Sequence, residues 1–507
     1  MNTKKLLPLA LVLLCSFSLF ARGKSADSGS AAGSGNVREL RYGFISEPST
    51  LDPLSPSNTA DGRSILFNVF EGLVRVEPDG GLQPAVASAF AVEQGGLVYR
   101  FTLRQGLRFH NGQAVTVEDV KFSLDKAIEA KYQGLVDQVE RVETPDSSTI
   151  IITLKAPDVE FLPFLTISVV PANNLDREHK PIGTGPYSIE SYTPQQSLVL
   201  KKNPGYWKPG FPKLDKVTIV FLADSDALLL SLRGGNIDGA TVTGPLVEQL
   251  GTTNFDVFSS YSNSVQLLAL NNSVKPLDDI RVRQAVNYAV DVQEIVDTAF
   301  YGRGEASGSP LIPGLAKYYN KDLVNPYPRN VERSRALLRE AGLANGFPLE
   351  ITVPSNYTMH VDTAQVLVNQ LEQVGIKATI RLVDWATWLA DVYRGREYAA
   401  TVISLDAPNS SPRTFLSRYL STGGSNFVNF KNADYDRVFN SILSEIDETK
   451  RIALYRDAQK IISDSAASVY IQDIYGFKVF PRGRYSNLLN YPLYVIDFAS
   501  ITPVTPK

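Results

Sequence analysis

Three histidines, His110, His179 and His360, are the only imidazoles in the chain. None stands four residues from another, the spacing by which one helix face offers two nitrogens to a metal. Each reads as a surface or turn histidine, His110 most plainly, because His110-Asn111-Gly112-Gln113 is a turn ahead of a helix. Acidic residues are numerous enough for two carboxylates to meet in a cleft, as glycoside hydrolysis requires, but no spacing singles out a pair. Gly183 and Gly185, in Pro181-Ile182-Gly183-Thr184-Gly185-Pro186-Tyr187, lack both the full dinucleotide-binding spacing and the lysine of a phosphate loop. They read as a turn entering a strand. There is no Gly-x-Ser-x-Gly elbow, and the only cysteine, Cys15, lies in the first apolar run. A chain cut beyond it has no thiol for catalysis, zinc binding or disulfide formation. The residue types therefore call for no catalytic group, no metal and no cofactor. What remains are groups suited to binding. Trp385 and Trp388 have the ordinary fate of core aromatics on an α/β layer, although Trp385 follows a strand end where a ring can stack on a ligand. Asp406, taken alone, is a turn or helix-cap residue.

The elements that must position these groups are legible from periodicity. Leu40–Ile45 is a short strand, and residues 64–74 carry a helical pattern through Ile65, Val69 and Leu73. Leu97, Tyr99, Phe101 and Leu103 alternate with Val98, Arg100 and Thr102, the period-two signature of a half-buried strand. Thr116-Val117-Glu118-Asp119 opens a helix, with Thr116 as cap and the acidic pair at the positive end of the dipole. Beyond residue 180, Ser197–Lys201 and Val217–Phe221 read as strands around the loop Asn203-Pro204-Gly205-Tyr206-Trp207, and Ala227–Arg233 as a short helix. Asp278 or Asp279 caps a helix carrying Val282, Val286, Ala289 and Val290, and Val331–Ala341 forms another, stopped by Gly342. A βαβ unit follows: strand Leu349–Val353, helix Val361–Val374 and strand Ile376–Val383, with the two strands parallel. Ligands of such sheets sit beyond the carboxyl ends of the strands. That places Pro354-Ser355-Asn356-Tyr357, Asp384-Trp385 and the polar loop from Asp406, after strand Ala399–Ser404, on one ligand-facing edge. The sequence has no internal repeat.

The chain has 507 residues and a formal net charge of −3. The length allows roughly three folding units at ~150 residues each. So small a charge argues against a nucleic-acid partner, which calls for a strong basic excess. Lys4 and Lys5 followed by the apolar run Leu6–Ala21 read as an export signal, residues 1–21. At ~1.5 Å per residue this run falls short of a ~30 Å hydrocarbon core. Ala21 is an acceptable small residue before a cleavage point, though Leu19 is large for its place. At Cys15, a lipid-attachment motif asks for a small residue where Leu14 stands. Release without lipid is the favoured route, and lipidation at Cys15 stays open. Residues 22–35, rich in Ser, Gly and Ala, suit a flexible tether.

Several segments in order resemble the bacterial extracellular solute-binding proteins of family 5, the oligopeptide, dipeptide and nickel receptors of ABC importers. They are Glu47-Pro48-Ser49-Thr50-Leu51-Asp52-Pro53, Phe70-Glu71-Gly72-Leu73, Leu103–Gly112, Val115–Val120, Gly183–Tyr187, Asn203–Trp207 and Arg281-Val282-Arg283-Gln284-Ala285. The resemblance covers nearly the whole chain after the leader. It implies an α/β two-lobed periplasmic-binding-protein (Venus-flytrap) fold of type II, cluster C, with an extra accessory domain inserted in the first lobe. Lobe 1 would comprise about residues 36–57, 180–268 and 487–507, the accessory domain about 58–179 and lobe 2 about 269–486. It implies no enzyme, but a monomeric receptor in the periplasm or on the outer face of the inner membrane. Such a receptor closes on a solute and hands it to the permease subunits.

Carried over residue by residue, the resemblance makes Trp385 the tryptophan beside the ligand and Asp406 the aspartate that pairs with a peptide α-ammonium group. A buried cation needs such a fixed counter-charge. Asn426 resembles a polar residue near the peptide backbone, Ser57 and Asn58 line the opposing lobe, and Tyr470 approaches from the second. The loop from Asp406 to Pro412 is longer than the peptide-receptor pattern. Dipeptide receptors also carry an arginine after the 349–353 strand, where this chain has Ser355-Asn356-Tyr357. The expected ligand is therefore a longer peptide held through its backbone. An oligosaccharide is the alternative within the family, and a lone His360 gives nickel no cluster. A secreted hydrolase, or an adhesion or chaperone protein on the same fold, are the readings from other classes.

Overall fold

The computed structural model describes residues 38–55, 58–130, 138–407 and 411–504, apart from the side chains of 260–262. The expected signal and tether, Cys15 and Ser57 lie outside the described residues.

Most strands fall in one hydrogen-bonded ladder. Its order is 377–383, 348–354, 400–406, 255–270, 468–481, 239–242, 39–44, 216–221, 197–202 and 187–193. Two strands in its middle are unusually long, Phe255–Leu270 and Ser468–Pro481, and they pair antiparallel along their length. Register breaks between Tyr261 and Val265 of the first, as a bulge does where a strand must bend and twist. The cores change along these same strands. Val257, Phe477 and Val479 pack with Leu228, Leu232 and Val247. Val265, Leu267 and Tyr470 pack with Trp388, Phe415 and Phe427 instead. Two α/β bodies thus share one sheet and are joined through 257–265 and 470–477.

The first body is completed by a segment outside the main ladder. Its strands 87–93, 98–103, 149–154 and 139–143 form a separate four-stranded sheet, against which helix Val117–Glu129 packs Val120, Leu124 and Ala127. Thr116 caps that helix as expected: its hydroxyl accepts from the Asp119 amide, and the Asp119 carboxylate accepts from the Thr116 amide. The reciprocal pairing satisfies two otherwise orphaned donors. Tyr99, Phe101 and Ile152 of this sheet share one apolar core with Tyr42, Leu198 and Phe498.

The second body contains the expected βαβ unit. Strand Pro348–Pro354 lies parallel to both Lys377–Val383 and Ala400–Asp406, so all three carboxyl ends open on the same edge. Helix Thr358–Glu372 joins the first pair. Asp279 is the cap of helix Ile280–Ala289. Among the described residues no helix is long and apolar enough to cross a membrane.

Two expectations fail. The helical pattern over 64–74 becomes helix Ala60–Leu66, followed by turns and strand Val74–Val76. Val69 and Leu73 are buried by chain crossing through the core, which leaves the same apolar mark as a helix face. His360 is not at the surface. It sits inside helix Thr358–Glu372, 3% exposed, with Nδ1 3.0 Å from Gln266 Nε2.

Candidate ligand-binding site

Where the two bodies face each other they enclose a cleft of about 150 Å³. Its walls come from Asn58, Arg63 and Phe67 at the start of the first body, from Tyr494 near the carboxyl end, and from Asn263 and Asp406 on the other side. Asp406 is the last residue of strand Ala400–Asp406, opposite Ser264 in the bulged strand. The end of the parallel strand and the joint between the bodies therefore meet at one point. The Asp406 side chain is 53% exposed, and its Oδ2 lies 3.8 Å from Arg63 Nη2 across the cleft. Arg63 Nη1 donates to the Asn58 carbonyl oxygen at 2.7 Å, which holds the guanidinium at the cleft wall.

Arg75 also reaches the cleft, but it is committed elsewhere. Its Nη1 lies 3.3 Å from the Glu71 carboxylate and donates to the Tyr206 hydroxyl at 2.8 Å. Glu71 in turn accepts from Tyr206 at 2.8 Å, from Trp207 Nε1 at 2.8 Å and from Thr184 at 3.3 Å. Burial pushes the Glu71 carboxyl up, while Arg75 and these donors pull it back. Gly183 and Gly185 belong to this construction. A Cβ on Gly183 would lie 2.1 Å from the Val69 carbonyl oxygen, and one on Gly185 2.7 Å from it. These glycines admit a crossing chain rather than a phosphate.

On the neighbouring part of the strand edge, Asp384 accepts from the Thr387 amide at 3.0 Å and from its hydroxyl at 2.6 Å. Those bonds hold its carboxyl below the usual range and fix the turn carrying Trp385. The Trp385 ring stacks on Trp388 at 5.1 Å with 4° between planes, and meets Tyr357 edge-on at 5.4 Å. Trp388 is buried and donates to Thr401 at 3.0 Å, whereas Trp385 stays 37% exposed. Burial raises the Tyr357 hydroxyl, and the Asp406 carboxylate adds to the shift. Tyr357 thus neighbours both Trp385, by ring contact, and Asp406, by its charge.

Of the residues expected at a site, Asn58 and Asp406 line the cleft, and Trp385 shares the strand edge with Asp406 outside the cleft lining. Asn426 and Tyr470 lie inside the second body. Asn426 Nδ2 donates to the Leu420 and Phe430 carbonyls at 3.0 and 2.7 Å, and its Oδ1 accepts from the Phe430 amide at 3.1 Å. Tyr470 is buried edge-on to Tyr419, and burial raises its hydroxyl far above the ordinary value. Sequence reasoning missed Arg63 and Asn263. Neither stands in a recognisable motif, and only the meeting of distant segments brings them to the cleft.

Two α/β bodies hinged on a pair of shared strands, with a cleft between them, define a two-lobed periplasmic-binding-protein fold. Residues 81–427 match the family model described as bacterial extracellular solute-binding proteins, family 5 middle, and the chain belongs to that family. It is similar to heme-binding protein A of Haemophilus influenzae, 27% identical over 444 residues, covering 78% of this chain and 80% of that protein. The glutathione-binding protein GsiB of Escherichia coli K12 is 27% identical over 475 residues, covering 86% and 91%. Among solved structures, the periplasmic binding protein DppA of Helicobacter pylori in complex with the peptide STSA aligns with a TM-score of 0.77. The two are 25% identical, over 92% of this chain and 98% of that one. The protein is therefore a non-enzymatic transport receptor, the substrate-binding component of an ABC importer, and works with the importer's permease. Members of the family are periplasmic.

Proposed function

We propose that this receptor is exported and captures a peptide-like solute with a free amino end, Asp406 pairing with the ligand ammonium as the lobes close. The observation that carries this reading is the Asp406 carboxylate, set at a strand end and facing the opposite lobe across the cleft. A carboxylate so placed attracts a cation, and closure strengthens the attraction by excluding water. Asn58 forms the opposing wall, and the exposed Trp385 ring flanks the ligand. Asn426 and Tyr470 act from behind, by holding the loop and the strand that carry the second lobe's face. DppA with its bound peptide and the glutathione-binding GsiB support a peptide-like ligand.

Native mass spectrometry of the purified mature protein, followed by denaturation to identify what is released, tests the reading. A set of short peptides is the expected result. A co-purifying oligosaccharide, for which Trp385 offers a stacking face, would keep the transport role and overturn the peptide assignment.

A further inference from the structure

Away from the shared strands, the two walls of the cleft run into one another. On the first body, Thr166, Ile167 and Ser168 line the cleft, directly after Phe164 in the turn Leu162–Thr166. On the second, Asp406 lines it, and Arg418 Nη2 donates to the Asp406 carbonyl at 2.7 Å. That bond ties the cleft edge to helix Pro412–Leu416, just before Arg418, which carries Arg413. Arg413 and Phe164 then meet. The guanidinium lies 5.6 Å from the centre of the Phe164 ring and pairs with the Asp158 carboxylate. Next to the pair, the Val159 amide donates to the Leu443 carbonyl at 3.0 Å, so main chain as well as side chains bridges the bodies here.

Asp158 is built into its place. Its amide donates to the Gly96 carbonyl at 3.1 Å, its carbonyl accepts from the Tyr99 hydroxyl, and its Oδ1 accepts from the Glu160 amide at 3.0 Å. Gly96, at φ 91°, permits this approach, since a Cβ there would lie 2.8 Å from the Asp158 carbonyl carbon. The remaining oxygen, Oδ2, is the one that meets Arg413. Only 8% of the Asp158 side chain and 14% of the Arg413 side chain are exposed. Such a pair resists parting, because each ion would lose its counter-charge where water does not replace it. We infer, building on the peptide reading above, that Asp158, Phe164 and Arg413 form a stop that sets the length of the ligand. The cleft ends where they meet, and a peptide too long to lie within it has to part the buried pair before the lobes can close. Arg413 is thereby a specificity residue that selects by size. The class it selects is a short peptide held within the cleft, not a long one running out past the stop.

The test uses titration calorimetry with the tetrapeptide serine-threonine-serine-alanine and with its tandem repeat, an octapeptide. Wild type should bind the tetrapeptide at least about tenfold more tightly, a difference of ~1.4 kcal/mol that parting a buried pair readily supplies. The double variant Asp158→Ser/Arg413→Ser removes both charges together and strands neither. It should bring the two affinities to within about threefold of each other, mainly by strengthening the octapeptide. Arg413→Gln should move the ratio the same way by a smaller factor. Melting curves confirm that each variant folds, and a general loss of cohesion would weaken both peptides alike without changing their ratio. If wild type binds the octapeptide as tightly as the tetrapeptide, or neither variant changes the ratio, the inference is overturned while the peptide reading stands. If wild type binds neither peptide, the peptide reading fails and this inference with it.

Discussion

Glu160, just beyond strand 149–154 of the first body, and Arg451, on helix Glu448–Asp464 of the second, form a buried ion pair with Oε1 2.6 Å from Nε. They do not act alone. The Tyr455 hydroxyl donates to Glu160 Oε2 at 3.0 Å, the Val159 amide donates to the Leu443 carbonyl at 3.0 Å, and Asp158 pairs with Arg413. The lobes are thus joined at a second place besides the shared strands.

That contact has a measurable weight. Arg451→Ala leaves Glu160 buried with Tyr455 as its remaining donor, and breaking a buried pair from one side costs about 3–5 kcal/mol. The variant should show a larger radius of gyration by small-angle scattering without ligand, and weaker ligand binding. Glu160→Gln, which keeps shape and one acceptor, should show a smaller change. Scattering and affinity identical to wild type would mean that the pair does not hold the lobes together.

The Glu71 cluster should matter for stability more than for binding. Glu71→Ala leaves the buried Arg75 guanidinium with only Glu77 as an ion-pair partner, 3.5 Å from its Nε, and strands the donors of Tyr206 and Trp207, with a loss of about 3–5 kcal/mol in urea denaturation. Trp207→Phe removes a single charge-assisted bond and should lose about 1.5–3 kcal/mol. Equal losses in the two variants would contradict the assignment of Glu71 as the centre.

How much of this was legible beforehand differs by element. The βαβ unit, the Thr116 cap and the common strand edge that carries Tyr357, Trp385 and Asp406 follow from local periodicity and turn chemistry, which tertiary packing reinforced. The motifs Phe70–Leu73, Gly183–Tyr187 and Asn203–Trp207 mark the family, but their common purpose is visible only once Glu71 meets Thr184, Tyr206 and Trp207. The joints at 257–265 and 470–477 leave no compositional break, because one strand runs through each. His360 misleads for a related reason: a polar side chain on a helix reads as solvated until Gln266 is found beside it in the interior.

Buried His360 and half-buried His110 contribute to the acid sensitivity. Burial pushes the His360 imidazole down to about 4. His110 is likewise pushed down to about 4 by burial, against a smaller opposing effect of its bond to the Gly185 carbonyl. In the unfolded chain each titrates near ~6.5. Between those values the unfolded state binds protons that the folded state refuses. Their contribution to stability is therefore full above pH ~6.5 and lost as pH falls toward ~4, at up to about 1.4 kcal/mol per unit for each histidine. Urea midpoints measured at pH 7.5, 6 and 5 should fall in that order, and His360→Gln should flatten the slope. A midpoint constant over this range would refute the account.

Asp406→Asn isolates charge from shape at the cleft. The amide keeps an acceptor oxygen at the end of strand Ala400–Asp406 but cannot neutralise an ammonium group. In the empty cleft Asp406 is half-exposed and its partner Arg63 is 3.8 Å away, so the melting temperature should barely move. With a peptide enclosed, the same substitution leaves the ligand ammonium without a counter-charge in a dry site, a loss of roughly 2–5 kcal/mol. An amino-acetylated peptide, already lacking that charge, should bind wild type and Asp406→Asn with similar affinity. Calorimetry of both peptides on both proteins closes the cycle. If the variant weakens the free and acetylated peptides equally, Asp406 does not read the amino end.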